Sequence, residues 1–123
     1  MPTREQERAQ AVYERVSAKA GSPNKEGYGR VCADLPALIH QCGLCQALAF
    51  LQAKGKGDHK EYFHEVLGDL GQVAGLGEDP GARVRAAPVM EYQRLSHEAL
   101  ACAQWFSRYA EALLDAKRGQ EPR

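Results

Sequence analysis

The sequence predicts an all-α fold, a single compact helical bundle of about five to six helices with a long C-terminal helix. Three observations carry that expectation. Val, Ile and Thr are scarce while Ala, Leu, Gln, Glu and Arg dominate, a composition that favours helix over strand. Apolar residues recur every three or four positions, and Gly and Pro cluster between the periodic segments. With 123 residues, 44% of them hydrophobic, residues 1–123 fit one domain that can bury roughly two-thirds of its unfolded surface without disulfide staples.

Thr3 followed three residues later by Gln6 reads as a capping box, in which each side chain satisfies a backbone N–H of the first turn. Ala9, Val12, Tyr13, Val16 and Ala20 continue at the helical period until Gly21-Ser22-Pro23 stops the run. A second run over residues 28–33 is expected to break near Pro36, with Asp34 capping a new short helix that carries Leu38 and Ile39. Gly43 separates that turn from residues 44–54, which are apolar on more than one face and are expected to be the most buried helix. Gly55-Lys56-Gly57 ends it, and Asp58 with Glu61 reads as another capping box. Tyr62, Phe63, Val66, Leu67, Leu70 and Val73 form the stripe of the next helix.

Residues 75–88 hold three Gly and two Pro and are expected to form a mobile loop. From about residue 89 to residue 117 neither Gly nor Pro intervenes, and Tyr92, Leu95, Ala99, Cys102, Phe106, Tyr109, Leu113 and Ala116 mark the long closing helix. Lys117 and Arg118 complement its negative end, Gly119 is placed as its C′ residue, and residues 119–123 are expected to fray.

Sixteen Lys and Arg balance sixteen Asp and Glu, so no global basic field exists and any nucleic-acid site must be a local patch. The N-terminus lacks the apolar run of a secretory signal, and the longest mainly apolar stretch, residues 44–51, is too short to cross a bilayer. A cytoplasmic protein without membrane contact is therefore expected, and its four cysteines should be reduced thiols. Cys42 and Cys45 with His40 offer at most three zinc ligands, and Cys32, His59, His64 and Cys102 show no second paired spacing, so no metal is expected. A thioredoxin-like motif would need a βαβ context. His59 and His64 do not share a helix face, and Ser96, His97 and Glu98 diverge by about 100° per residue, so they cannot form a triad among themselves. Without a phosphate loop, an HExxH or a paired-carboxylate arrangement, the sequence predicts no enzyme and no cofactor.

Charge is distributed unevenly. Residues 1–30 carry six Lys and Arg against four Glu, residues 83–118 carry six against four acids, and residues 51–81 carry three against six. On ideal helices Arg4, Arg8 and Arg15 lie within about 60° of one another, and Arg94 and Arg108 within about 40°, with Lys117 at the end of the same predicted helix. A solvated face laced with helical ion pairs is the alternative to a binding face.

The segment Gly43-Leu44-Cys45-Gln46-Ala47-Leu48-Ala49-Phe50-Leu51-Gln52-Ala53-Lys54 resembles the small helical subunit of the Cmr complex, the type III-B CRISPR RNA-guided effector. The shared pattern is Gly-Leu, a Gln, Leu-Ala-Phe-Leu and a Lys three residues beyond. Leu35-Pro36 and Ile39 resemble the approach to it, and Tyr92, Glu98, Ala99, Trp105, Arg108, Tyr109 and Ala110 resemble the family's aromatic-basic signature. The resemblance implies a non-catalytic role in antiviral defence. Copies would stack head to tail as a short filament beside the backbone subunits and line the groove in which guide RNA and target RNA pair. The implied partners are the backbone and large Cmr subunits, further copies of the chain, and both RNAs.

On that basis Lys54, Arg108, Arg94 and Lys117 are expected to contact RNA phosphates, with Arg30, Arg15 and Lys19 as further candidates. Arg108 has a structural alternative, an ion pair with Glu111 or Asp115. Leu48, Phe50, Leu51 and Trp105 are expected to be core or subunit-contact residues rather than base-stacking platforms. Two other functions stay open: a protein-only adaptor that binds a partner helix in an apolar groove, and, least favoured, a zinc or thiol activity on Cys42 and Cys45.

Overall fold

Thr3 begins the first helix as its spacing predicts: its Oγ1 accepts the Gln6 N–H at 3.1 Å, and the Gln6 side-chain carbonyl accepts the Thr3 N–H at 2.7 Å. The computed structural model describes residues 1–117. Among them the secondary structure is six helices and no strand: α1 (Arg4–Ser17), α2 (Lys25–Cys42), α3 (Leu44–Lys54), α4 (Glu61–Val73), α5 (Pro80–Arg85) and α6 (Val89–Leu114). The two longest, α2 and α6, form the central pair. Helix α1 lies against α6, α4 against α2, and α3 bridges α2, α4 and α5. One core, which includes Val12, Tyr28, Leu35, Leu51, Leu70 and Phe106, runs between them.

Five local expectations are corrected. Helix α2 does not break near Pro36 but runs through it, and Asp34 is an exposed residue of its interior. Pro36 forfeits one hydrogen bond and crowds the preceding turn, a cost of about 3 kcal/mol. Tyr28, Cys32, Leu35 and Ile39 are buried on one stripe spanning the proline, and each fully buried large side chain contributes about 1.5–3 kcal/mol, enough to hold the helix in line. Helix α3 is not the most buried: it buries four of its eleven residues, Leu44, Ala47, Leu48 and Leu51, and leaves Phe50 41% exposed, about the same share as the nine of twenty-six in α6 and slightly below the seven of eighteen in α2. The second apolar face of α3 is made largely of alanines, which have little surface to bury.

Asp58 does not cap α4. His59 adopts a left-handed φ of 59°, the helix starts at Glu61, and the N-cap position falls on Lys60, which makes no side-chain cap bond. The segment 75–88 is not loop throughout, because it contains α5. Gly75 closes α4 in a left-handed conformation, with the Leu76 N–H on the Gly71 carbonyl at 2.7 Å and the Gly75 N–H on Gln72 at 3.4 Å, the Schellman pattern. Asp79 then caps the Ala82 N–H at 3.2 Å with Pro80 in the first turn, and Leu76, Pro80 and Val84 are buried. Gly71 is required here, since a Cβ would meet Pro80 Cγ at 2.5 Å. Finally, α6 stops at Leu114 rather than near Lys117. Asp115 takes the left-handed turn (φ 59°), a conformation that Asp tolerates better than most residues. The returning Ala116 packs on Gly29, where a Cβ would come within 3.2 Å of it. The C′ position expected at Gly119 and the fraying expected at 119–123 lie outside the described residues.

A charged clasp attaches α1 to α6. Glu98 is 8% exposed, and Arg8 reaches both its oxygens, Nε to Oε2 at 2.8 Å and Nη2 to Oε1 at 2.7 Å, while Arg4 Nη2 adds 2.9 Å. The Arg8 hydrogen bonds, outweighing burial and aided by Arg4, pull the Glu98 carboxyl from its ordinary 4.5 to about 2. Burial and then the neighbouring Glu98 charge push the Cys102 thiol up to about 12.

Replacing Pro36→Ala restores the missing donor in α2 and is expected to stabilise the fold by about 1–3 kcal/mol, read from the urea midpoint. The Glu98 carboxyl is depressed on folding, so its contribution is fully present above about pH 4.5 and is lost as pH falls toward 2. In chemical denaturation across that window, Glu98→Gln should flatten the acid loss by on the order of 2–4 kcal/mol. An unchanged slope would show that the clasp is not what acid breaks.

Candidate nucleic-acid interface

The seven cations singled out in the sequence divide by whether an acid of the same chain holds them. Arg15 Nη1 lies 3.1 Å from Asp69, Lys19 Nζ 3.0 Å from Glu65, and Arg30 Nη1 3.1 Å from Glu26. Lys19 also sits over the Tyr28 ring, 5.2 Å from its centroid. Arg94 hydrogen-bonds Glu91, which is shared with Arg83 at 2.9 Å. Those contacts raise the Arg94 guanidinium and lower the Glu91 carboxyl, Arg94 being the chief cause of the latter.

Arg108, Lys117 and Lys54 are exposed and make no ion pair among the described residues. The ion-pair alternative for Arg108 with Glu111 or Asp115 is therefore not formed. Asp115 instead lies 4.0 Å from Lys25. Arg108 and Lys117 line one open depression with Glu111 and Ala116, at the end of α6 where the chain turns back through Asp115. Lys54 is not part of that depression. It ends α3, with its ammonium 5.6 Å from the Phe50 ring centroid.

The arginines aligned along α1 are engaged by acids of the same chain, although the Arg4 and Arg15 side chains stay 66% and 42% exposed. Arg4 and Arg8 turn to Glu98, and Arg15 turns to Asp69, whose other oxygen accepts the Tyr28 hydroxyl at 2.6 Å. The acids of α4 and α6 thus neutralise the cations of α1 across the bundle. Burial is the chief cause that holds the Tyr28 hydroxyl and the Cys32 thiol well above their ordinary ranges, so both stay neutral.

Leu48 and Leu51 are core, as expected, and Trp105 is half-buried. Trp105 stacks on Tyr109 at 5.5 Å, Tyr109 meets Tyr13 edge-on at 5.5 Å, and the indole N–H donates to Glu5 at 2.6 Å, so this ladder pins α1 to α6. Of the two roles expected of Phe50, core or subunit contact, its 41% exposure is at odds with the first. Its exposed ring lines an apolar groove of about 240 Å³ between α2, α3 and α4, together with Tyr62 and Phe63.

Three exposed cations without an ion pair among the described residues went unmarked in the sequence, and Arg85 at the end of α5 is one of them. Lys56 and Lys60, on the loop that joins α3 to α4, are exposed and make no ion pair among the described residues. Their signal is local, three lysines within the seven residues 54–60, and averaging over 51–81 hides it. The four cysteines are free thiols, with Cys32 and Cys102 buried and Cys42 exposed. Among the described residues no group of three or more His, Cys, Asp or Glu side chains could hold a metal ion, and no helix is long and apolar enough to cross a membrane. Ser96, His97 and Glu98 point to different environments, half-buried, exposed and buried, so they form no triad. What the exposed cations can do is contact phosphate oxygens.

Residues 4–113 match the family described as CRISPR-associated protein (Cas_Cmr5). The CRISPR system Cmr subunit Cmr5 of Thermus thermophilus is 41% identical over 118 residues, covering 94% of this chain and 99% of that protein. An X-ray crystal structure of a CRISPR-associated Cmr5 family protein from the same organism superposes with a TM-score of 0.82 at 39% identity, covering 92% of this chain and 98% of the other.

Proposed function

This chain belongs to the CRISPR-associated Cas_Cmr5 family, and from that premise we propose that it is the non-catalytic small subunit of a type III-B Cmr ribonucleoprotein and contacts RNA phosphates there. Its partners are the backbone and large Cmr subunits, further copies of itself stacked as a filament, and the guide and target RNA. The observation that carries the RNA reading is the pairing of Arg108 with Lys117 in one open depression, both without an acid partner among the described residues. Lys54 is a third cation of this kind. Arg94 stands behind them because it shares Glu91, although its side chain is 59% exposed. Arg30, Arg15 and Lys19 are the weakest candidates, since each would have to leave an acid of its own chain.

A near-neutral subunit suits this role. Each copy supplies a few phosphate contacts without sequence readout, and a tethered array multiplies them through effective concentration. In the assembled complex, Arg108→Ala and Lys117→Ala are each expected to weaken target-RNA binding several-fold and to reduce the log K against log salt slope by about 1. Arg15→Ala should leave the slope as it is. Unchanged slopes for both Arg108→Ala and Lys117→Ala would overturn the phosphate-contact reading.

A further inference from the structure

The groove between α2, α3 and α4 has chemistry that phosphate contacts leave unused. Phe50 on α3 and Tyr62 and Phe63 in the first turn of α4 supply three aromatic rings, Phe50 meeting Phe63 edge-on at 6.2 Å and Tyr62 tilted on Phe63 at 5.0 Å. Tyr62 is held flat against the backbone of Gly27, where a Cβ would lie 2.6 Å from the ring. The volume of about 240 Å³ falls below the range of drug-sized ligand sites and suits one planar ring system. Lys54 stands over Phe50, and the loop joining the two aromatic walls carries Lys56 and Lys60. Asp58 and Glu61 are close in sequence, yet none of the three lysines is ion-paired among the described residues.

From this juxtaposition we propose that the groove receives a single unstacked base of RNA against Phe50 and Tyr62, with the flanking phosphates on Lys54, Lys56 and Lys60. The proposal rests on the RNA-contacting role above and adds a second mode to it. Arg30 and Asp34 stand at the α2 wall of the groove, and the three lysines flank its opposite rim outside the lining; an apolar side chain of a protein partner would fill the groove but would leave those lysines without a counter-charge. A nucleotide satisfies both halves, because every base offers a π-face and every nucleotide a phosphate. Such binding is tolerant of sequence, as an effector whose specificity resides in base pairing requires.

The test titrates the full chain with a single-stranded RNA oligonucleotide and with the four nucleoside monophosphates, following aromatic ring resonances by NMR. Saturable shifts of the Phe50, Tyr62 and Phe63 rings, with the Trp105 indole unmoved, are expected. Phe50→Leu, at an exposed position, should fold normally and lower affinity for single-stranded RNA on the order of tenfold while keeping the salt slope, because it removes stacking and not charge. Ring resonances that stay put, or wild-type affinity in Phe50→Leu, would overturn the base site. If Arg108→Ala still reduces the salt slope in that case, the phosphate reading survives without it. Loss of a Cmr backbone subunit from the Phe50→Leu complex at unchanged RNA affinity would assign the groove to a protein and likewise overturn the proposal.

Discussion

The carboxylate of Glu98 lies almost out of solvent on the longest helix, and a buried carboxylate must find cationic partners or give up its charge. Arg8 meets it in bidentate fashion and Arg4 completes the shell, which fixes where α1 lies along α6 and how it is rotated. Everything else on α1 follows from that placement. Val12 and Val16 enter the core, Glu5 reaches the Trp105 indole, Tyr13 meets Tyr109, and Arg15 falls opposite Asp69 of α4. The surface consequence is as important as the mechanical one. Several of the cations that make the first thirty residues basic in sequence face acids from distant segments, so the positive count of that segment is largely neutralised across the bundle.

How legible a feature was in the sequence depended on how far its partners lie along the chain. The Thr3 capping box, the span of α1 and the stripe of α6 involve residues a few positions apart and follow from local rules. Pro36 shows where local rules give out. Its cost is local, but the burial of Leu35 and Ile39 that outweighs it comes from tertiary packing. Helix α5 is a related case, since Asp79-Pro80 is a start signal whose weight becomes visible only once Gly71 admits Pro80 and Val84 enters the core. Asp58 illustrates the reverse, a cap motif of the right spacing undone by the left-handed turn at His59.

The candidate interface was legible to the same degree and for the same reason. Charge type and place near the end of the closing helix singled out Arg108 and Lys117, which lie on opposite helical phases and which the turn at Asp115 brings into one depression. Phase alone could not separate these from Arg15 or Lys19, because the acids that engage those two are 54 and 46 residues away. Regional averaging concealed Lys56 and Lys60 inside an acidic window. For Phe50, an aromatic among apolar neighbours reads equally as core or as subunit contact. Its exposure arises because Leu48 and Leu51 already face inward and the 100° helical step turns Phe50 toward the groove.

Zero net charge and RNA contact are compatible once neutralisation is seen to be internal. Sixteen acids matched to sixteen bases would extinguish any long-range field if the charges were evenly mixed on the surface. Here many acids are consumed in pairs that link helices: Glu98 with α1, Asp69 with Arg15, Glu65 with Lys19. The exposed cations that remain are few and sit at helix ends and on one loop, where the backbone turns and a phosphate can approach closely. A subunit arranged this way attracts RNA weakly when alone, because its field at a Debye length is that of a neutral particle. Held beside a guide by other subunits, the same residues act at contact distance, where neighbouring charges count individually and the distant acids are screened. For the proposed role, neutrality therefore leaves the free chain a weak RNA binder and gives the assembled complex the strong binding.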